Sequence, residues 1–375
     1  MGTCPVAGVV WQHLHYLVGL RRLGHEVTYI EDTSRYPYDP EAFTVAEDFS
    51  YAARMLDRLS REHGFSWGFC ARYFPEPRTA GLTLEELRRL YRECDAALNV
   101  CGSHELNPDL LAIRRLLYVE SDPGVEQIKI DLGDAGTRQY LESHAALFTF
   151  GEAVPAPDFP VPLHGLRWLP TRQPVVTDFW RTDAAPRADA AFTSICNWST
   201  SGKKDIVWRG SNYLWSKSLE FLKFSGVPAR CGGAFELATD IPDGPDRARF
   251  AGWNLVCPHA VSKDENTYRE YIRNSFAEFT VAKDQYTRLH TGWFSDRSAC
   301  YLASGRPVIT QQTGFTKFYG GSEGLFAFET LDDVGAAAEA IRADYARHSR
   351  AAAEIAAEFF EAEKVLASLL DRAGV

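Results

Sequence analysis

The sequence predicts an α/β protein of two Rossmann-like, doubly wound domains facing each other across a cleft, and three observations carry that expectation. The chain has 375 residues, more than one hydrophobic core usually supports, so two domains of ordinary size are expected. Short apolar or β-branched runs alternate with amphipathic helical stretches, the grammar of a parallel sheet covered by helices on both faces. Between positions 153 and 187 that grammar stops at Pro155, Pro157, Pro160, Pro162, Pro170, Pro174 and Pro186. Such an extended passage suits a crossing between domains. The boundary is placed near Thr171, giving domains of residues 1–170 and 171–348.

The elements follow in order. Val10, Leu14, Leu17 and Val18 recur at helical spacing before Gly24-His25, and Glu26 to Ile30 is a short strand, so residues 8–32 make a helix-to-strand unit. Few residues precede Gly8, so the first sheet is expected to have at most a very short first strand. The aromatic stretch Gly64 to Phe74 reads as a connection, its rings packing under a lid or against a ring-shaped acceptor, or else covering a helix. Thr83 and Glu86 form a capping box opening a helix from Leu84 to Cys94. Ala96 to Val100, Leu116 to Glu120 and Ala145 to Phe150 are strands, and Asp109 to Arg115 a helix. The second half restarts with a strand at Ala191 to Cys196 and a helix at Ser216 to Phe224. Then come a helix from Tyr268 to Asn274, a strand from Glu278 to Val281, a helix from Asp296 to Ala303 and a strand from Pro307 to Thr310. Asp332 to Ala346 and Ser349 to Leu370 complete it, the latter as one long Ala- and Glu-rich helix.

Composition excludes several classes. A formal net charge of −10 and scattered arginines oppose a nucleic-acid partner. The eight cysteines show no zinc spacing and read as reduced thiols, and nothing suggests a metal. No segment approaches the roughly 20 apolar residues of a membrane span and no leader is evident, so the expected location is the cytoplasm.

The chemistry concentrates in Gly292 to Thr310 and the Gln311 to Phe315 turn that follows. Ser295 is a fitting N-cap, which leaves the N–H groups of Asp296, Arg297 and Ser298 at a helix start where an anion is favoured. The Arg297 guanidinium and the Ser298 hydroxyl are further donors for a diphosphate.

This helix, the run Ala303-Ser304-Gly305-Arg306-Pro307, a strand and the Thr313-Gly314 turn resemble the donor segment of GT-B glycosyltransferases, closest to bacterial glycosyltransferase-like proteins. Trp215-Ser216-Lys217 is similar to the step that supplies a diphosphate-binding lysine. Phe250 to Trp253 is similar to the strand end whose backbone, at Gly252 and Trp253, faces the nucleotide base. Ala7-Gly8-Val9 and Gly24 to Val27 resemble the first turn and helix ending of that fold. The resemblance implies metal-independent transfer of a sugar from a nucleotide diphosphate-sugar, bound by the second half, to an acceptor bound by the first. It also implies that helix 349–375 crosses back to complete the first domain. Two glutamates carried by many retaining members are replaced by Gly292 and Cys300, so stereochemistry stays open.

Transfer needs a base for the acceptor hydroxyl and cations for the leaving diphosphate. His13, by resemblance to inverting members, and Asp122, by its place after a buried strand, are the candidate bases. Lys217 and Lys283 are the leading cations, with Lys203, Lys204 and Arg288 behind them. No cofactor is implied beyond the donor itself. A nicotinamide oxidoreductase lacks its Gly-x-Gly-x-x-Gly signature here. A non-enzymatic nucleotide- or sugar-binding protein and a sugar-nucleotide epimerase of the same fold remain as alternatives.

Overall fold

The computed structural model describes residues 1–182, 184–199 and 205–375. Helix α1 (Ala7–Arg22) leads into strand β1 (Thr28–Thr33), then α2 (Ser50–His63), β2 (Ser66–Ala71) and β3 (Arg78–Ala80). α3 (Leu84–Glu93) starts at the expected capping box, with the Glu86 N–H on the Thr83 hydroxyl and the Thr83 N–H on the Glu86 carboxylate. It is followed by β4 (Ala97–Val100), β5 (Leu116–Glu120), α4 (Val125–Asp131), β6 (Ala146–Thr149) and β7 (Trp168–Pro170). Two sheets result, ordered β1-β2-β3 and β4-β5-β6-β7; every pair is parallel except β2 with β3. β5 is buried along its whole length, as expected of an interior strand covered on both faces.

The second half holds β8 (Phe192–Ile195), α5 (Ser218–Lys223), β9 (Phe235–Ala238), β10 (Asn254–Val256), α6 (Glu265–Asn274) and β11 (Ala277–Thr280). α7 (Asp284–Leu289), α8 (Asp296–Ala303), β12 (Val308–Gln311), β13 (Leu325–Phe328) and α9 (Leu331–Ala343) follow. These six strands form one parallel sheet, β10-β9-β8-β11-β12-β13. The chain order reverses beside β8, the switch point where ligands of such sheets collect.

Three expectations are corrected. The aromatic stretch 64–74 is largely strand β2, whose Gly68 to Ala71 are buried beside β1. Residues 109–115 form only a 3₁₀ turn, Leu110–Ala112. The terminal helix is broken into α10 (Tyr345–Phe359) and α11 (Ala362–Ala373). Phe360 and Glu361 leave the helix because Val175 bonds both sides of the break, its N–H to the Phe360 carbonyl at 2.7 Å and its carbonyl to the Ala362 N–H at 2.9 Å. α10 packs on α8, and α11 crosses to α1. Gly19 permits that crossing: a Cβ there would lie 2.6 Å from Leu366 Cδ1 and 2.9 Å from Ala362 Cβ. Residues 1–6 form no strand. No helix among the described residues is long and apolar enough to cross a membrane.

Candidate functional site

At the carboxyl ends of the second sheet three cations converge on one another. Lys283 follows β11 and stands at the start of α7; Lys217 stands at the start of α5; Arg297 lies in the first turn of α8. Burial, reinforced by the Arg297 and Lys283 charges, pushes the Lys217 ammonium down to about 7. No ion pair to Lys217 is found among the described residues; its Nζ lies 5.7 Å from the centre of the Trp293 ring. Lys283 Nζ sits 3.9 Å from the Trp215 ring centre and donates to the Asp122 carboxylate of the first half. The Tyr286 hydroxyl donates to the same carboxylate. The structure thus brings the sequence candidates Asp122, Lys217 and Lys283 to one place, between the halves.

Arg297 belongs to the cluster in charge but not in availability. Its Nε donates to Glu278 at 2.6 Å, one Nη to the Thr280 hydroxyl at 2.7 Å and the other to the Ile195 carbonyl. Glu278 is fully buried. Burial opposes the Arg297 charge, but the Glu278 carboxylate outweighs it and holds the guanidinium ionised. This side chain therefore ties β8, β11 and α8 together and sets the cluster's shape. Ser295 occupies the N-cap position with extended backbone, yet its side chain caps nothing, so the first N–H groups of α8 keep no side-chain acceptor. The Ser298 hydroxyl is buried without a partner among the described residues. A helix start without a side-chain cap beside the Lys217 ammonium is a place where an anion is favoured.

Asp296, expected as a backbone donor, also carries a notable side chain. Gln12 of α1 donates to its Oδ1 at 3.4 Å, and burial, with the Asp122 charge adding, pushes the carboxyl up to about 7. Thr313 and Gly314 stand behind the site. The Thr313 hydroxyl donates to the Trp293 carbonyl at 2.5 Å, its carbonyl accepts from Gly292 at 2.7 Å, and Gly314 (φ +94°) packs under the His290 carbonyl. They hold the 290–295 loop that delivers α8.

Other candidates lie elsewhere. His13 donates from Nδ1 to the Val9 carbonyl at 2.8 Å and meets Tyr29 edge-on, 5.7 Å between ring centres; burial pushes it down to about 3. A Cβ added at Gly8 would lie 3.6 Å from the Tyr268 hydroxyl of the second half. Trp253 is a core side chain packed on Phe235, Phe250 and Phe279, its indole N–H on the Ser225 carbonyl at 2.8 Å, and Gly252 rests on Pro228. Arg288 donates to the Asn212 carbonyl at 2.6 Å, and Lys203 and Lys204 lie outside the described residues.

Sequence reasoning missed Glu120, Trp215 and Tyr286, whose roles come from pairings no local pattern encodes. Glu120 accepts from Thr149 at 2.5 Å and from the Gln127 amide at 3.0 Å, and Gln127 in turn takes the Gly124 N–H, so this carboxyl anchors the turn that carries Asp122. Burial raises Glu120 from 4.5 to about 8. Within that window the folded chain keeps a proton the unfolded chain has lost, so stability falls as pH rises, by an amount on the order of 5 kcal/mol. Glu120→Gln is expected to remove most of that fall. Urea melts at pH 5 and pH 8.5 check it; an undiminished difference between them excludes this carboxyl as the source.

Among the described residues no group of three His, Cys, Asp or Glu side chains is placed to hold a metal ion.

No family model matches the chain, and no curated protein matches it in sequence. Solved structures do match. AviGT4, a glycosyltransferase involved in avilamycin A biosynthesis, superposes with a TM-score of 0.52 at 12% identity, over 98% of this chain and 89% of its own. Anabaena HepE, solved with UDP and glucose, gives 0.53 at 10% identity over 93% and 99%. An α-glucosyltransferase solved with UDP and a DNA 13-mer containing an HMU base gives 0.54 at 12% identity over 100% and 97%. At these identities the likeness is one of architecture, and the fold of this chain is the two-domain GT-B fold of such glycosyltransferases.

Proposed function

We propose that the chain is a glycosyltransferase that takes a sugar from a nucleotide diphosphate-sugar held by its second half and passes it to an acceptor held by its first. The observation that carries the reading is the convergence of Lys217, Lys283 and the uncapped start of α8 on one point between the halves. Transfer leaves a nucleoside diphosphate whose developing charge is stabilised by donors already aimed at it. The GT-B fold supports the same reading, as do the bound UDP of HepE and of the α-glucosyltransferase. With two lysines supplying the charge, the reaction needs no divalent cation. The cytoplasm, where the sequence places it, belongs to this reading.

Of the two candidate bases the geometry favours Asp122. It stands on the first half, facing the lysines, whereas the charged neighbours of His13 are His104, Glu31 and the terminal amine. Donor phosphates draw Lys283 away from Asp122, and the carboxylate, still held by the Tyr286 hydroxyl, takes the acceptor proton. Asp122→Asn should then lower turnover without weakening nucleotide binding.

The test is a thermal-shift screen against uridine, guanosine and thymidine diphosphates, followed by nucleotide release from the matching nucleotide-sugar. A ligand present at 100 times its dissociation constant should add about 2.7 kcal/mol of stability. No shift with any of the three overturns the reading. A shift without release, with or without acceptors, makes the protein a binding module.

A further inference from the structure

Between β8 and α5 the second half carries a two-stranded antiparallel hairpin, Ile206–Trp208 with Ser211–Tyr213. Its turn residues, Arg209 (φ +48°) and Gly210 (φ +75°), are both left-handed, the geometry that matches the twist of the paired strands. Alternation decides which side faces inward: Val207 is 62% exposed, while Trp208 and Tyr213 are buried. A two-stranded hairpin is marginal in water by itself, so what holds this one is the surface it lies on. That surface belongs largely to the first half. Trp208 and Tyr213 share one apolar cluster with Ile128 of α4, with Val161, and with Leu289 at the end of α7. The Trp208 indole N–H donates to Asp131 Oδ2 at 2.7 Å, and His164 Nε2 lies 2.7 Å from Oδ1. The indole, more than His164, holds the Asp131 carboxyl below its ordinary value.

The second half thus grips α4 at both ends. At its start, Asp122 takes Lys283 and the Tyr286 hydroxyl, and Gly124 (φ +104°) admits Leu289, whose Cδ1 would lie 2.8 Å from a Cβ there. At its end, Asp131 takes Trp208. The hairpin is tied in turn to the cations. The Leu214 N–H donates to Asp284 Oδ2 at 3.0 Å, and Arg288 links that carboxylate, at 3.1 Å, to the Asn212 carbonyl, at 2.6 Å. Trp215 then lies against Lys283, and Lys217 follows two residues later.

We propose that this hairpin is a clasp and Trp208 a positioning residue for glycosyl transfer: seated on Asp131, it holds the half that carries Asp122 against the half that carries Lys217 and Lys283. The proposal rests on the glycosyltransferase reading and adds the contact that sets donor against acceptor. Both lysines belong to the second half, so the diphosphate has its cations with or without the clasp. What the clasp raises is the fraction of molecules in which the first half's carboxylate stands beside the donor, and a reaction between groups on two bodies scales with that fraction.

The test compares Trp208→Phe, which keeps a ring and removes the N–H, with Asp131→Ala and with Asp131→Asn, whose amide oxygen still accepts from the indole. In the first two, amide exchange should quicken at least about fivefold in both 125–131 and 206–213. Their kcat should fall about tenfold, while KM for the nucleotide-sugar and the Kd of the nucleoside diphosphate stay within about twofold. Combining Trp208→Phe with Asp131→Ala should add nothing further, and Asp131→Asn should keep most of the turnover. A lowered Tm with wild-type kcat makes the contact merely structural and overturns the proposal. So does faster exchange in the hairpin alone, which leaves α4 unheld. Should Trp208→Phe not fold, Asp131→Ala decides between the same outcomes. A wild-type chain that binds and turns over no nucleotide-sugar fails the glycosyltransferase reading alone; exchange then decides the clasp, kept by a joint change in the two segments and overturned by separate ones.

Discussion

Replacing Lys217 with alanine is expected to lower turnover by about 10²-fold or more while leaving Tm unchanged or slightly raised. The asymmetry follows from its surroundings. The ammonium is desolvated, repelled by Arg297 and Lys283, and without an ion pair among the described residues, so the folded chain gains little from it. A bound diphosphate reverses the balance by giving the charge a partner in a place where water screens it poorly. The pH dependence has a definite sign. With the group held down to about 7, diphosphate binding above that pH takes up a proton. Affinity should be flat below about pH 7 and fall by up to tenfold per unit above it. Isothermal titration with a nucleoside diphosphate at pH 6, 7, 8 and 9 measures this; the same slope in Lys217→Met assigns the proton to another group. Folding responds oppositely, because a depressed lysine makes stability rise with pH between about 7 and the ordinary value of 10.5.

Arg297→Ala is expected to cost about 3–5 kcal/mol of folding stability, the usual penalty for breaking one side of a buried ion pair. Glu278 has no exposure, and its second oxygen is already without a partner among the described residues, so removing the guanidinium leaves a stranded carboxylate in the sheet interior. Arg297→Lys should recover little, since an ammonium does not reproduce the planar fork that reaches Glu278, Thr280 and the Ile195 carbonyl together. The double variant Arg297→Met with Glu278→Gln should recover most of the loss. Urea unfolding of the four proteins decides it: equal loss in the single and double variants points to lost packing instead of a stranded charge.

The second role of Arg297 shows where sequence reasoning reached its limit. A cation in the first turn of a helix that opens after a serine signals an anion partner, and that signal is local. The partner it finds is a carboxylate on β11, and no spacing along the chain announces it. Asp122 and Lys283, 161 positions apart, were each legible as residues beyond a strand, because a parallel sheet sends its ligands there, but not as a pair. Elements with strong local grammar were readable almost to the residue. Leu116–Glu120 is a continuous apolar run closed by an acid, Leu84–Glu93 has its capping box, and Asp296–Ala303 ends on a Gly turn. Where tertiary contacts overrode propensity the reading failed. β2 looked like a connection because Gly64, Ser66 and Gly68 dilute its pattern, and its strand character comes from pairing with β1. The Ala-rich tail has every local reason to be one helix, and is cut by a bridge to Val175 that lies 186 positions earlier than Glu361.

That bridge bears on how the halves can move. The chain passes between them once along the segment holding Val175 and again at Phe360 and Glu361, and the two passages are stitched side by side by the Val175 hydrogen bonds. A pair of strands joined in this way bends and twists but does not slide. We expect any opening of the halves to be a rotation about the line of the stitch, like a cover turning on its spine, with the space gained growing with distance from Val175.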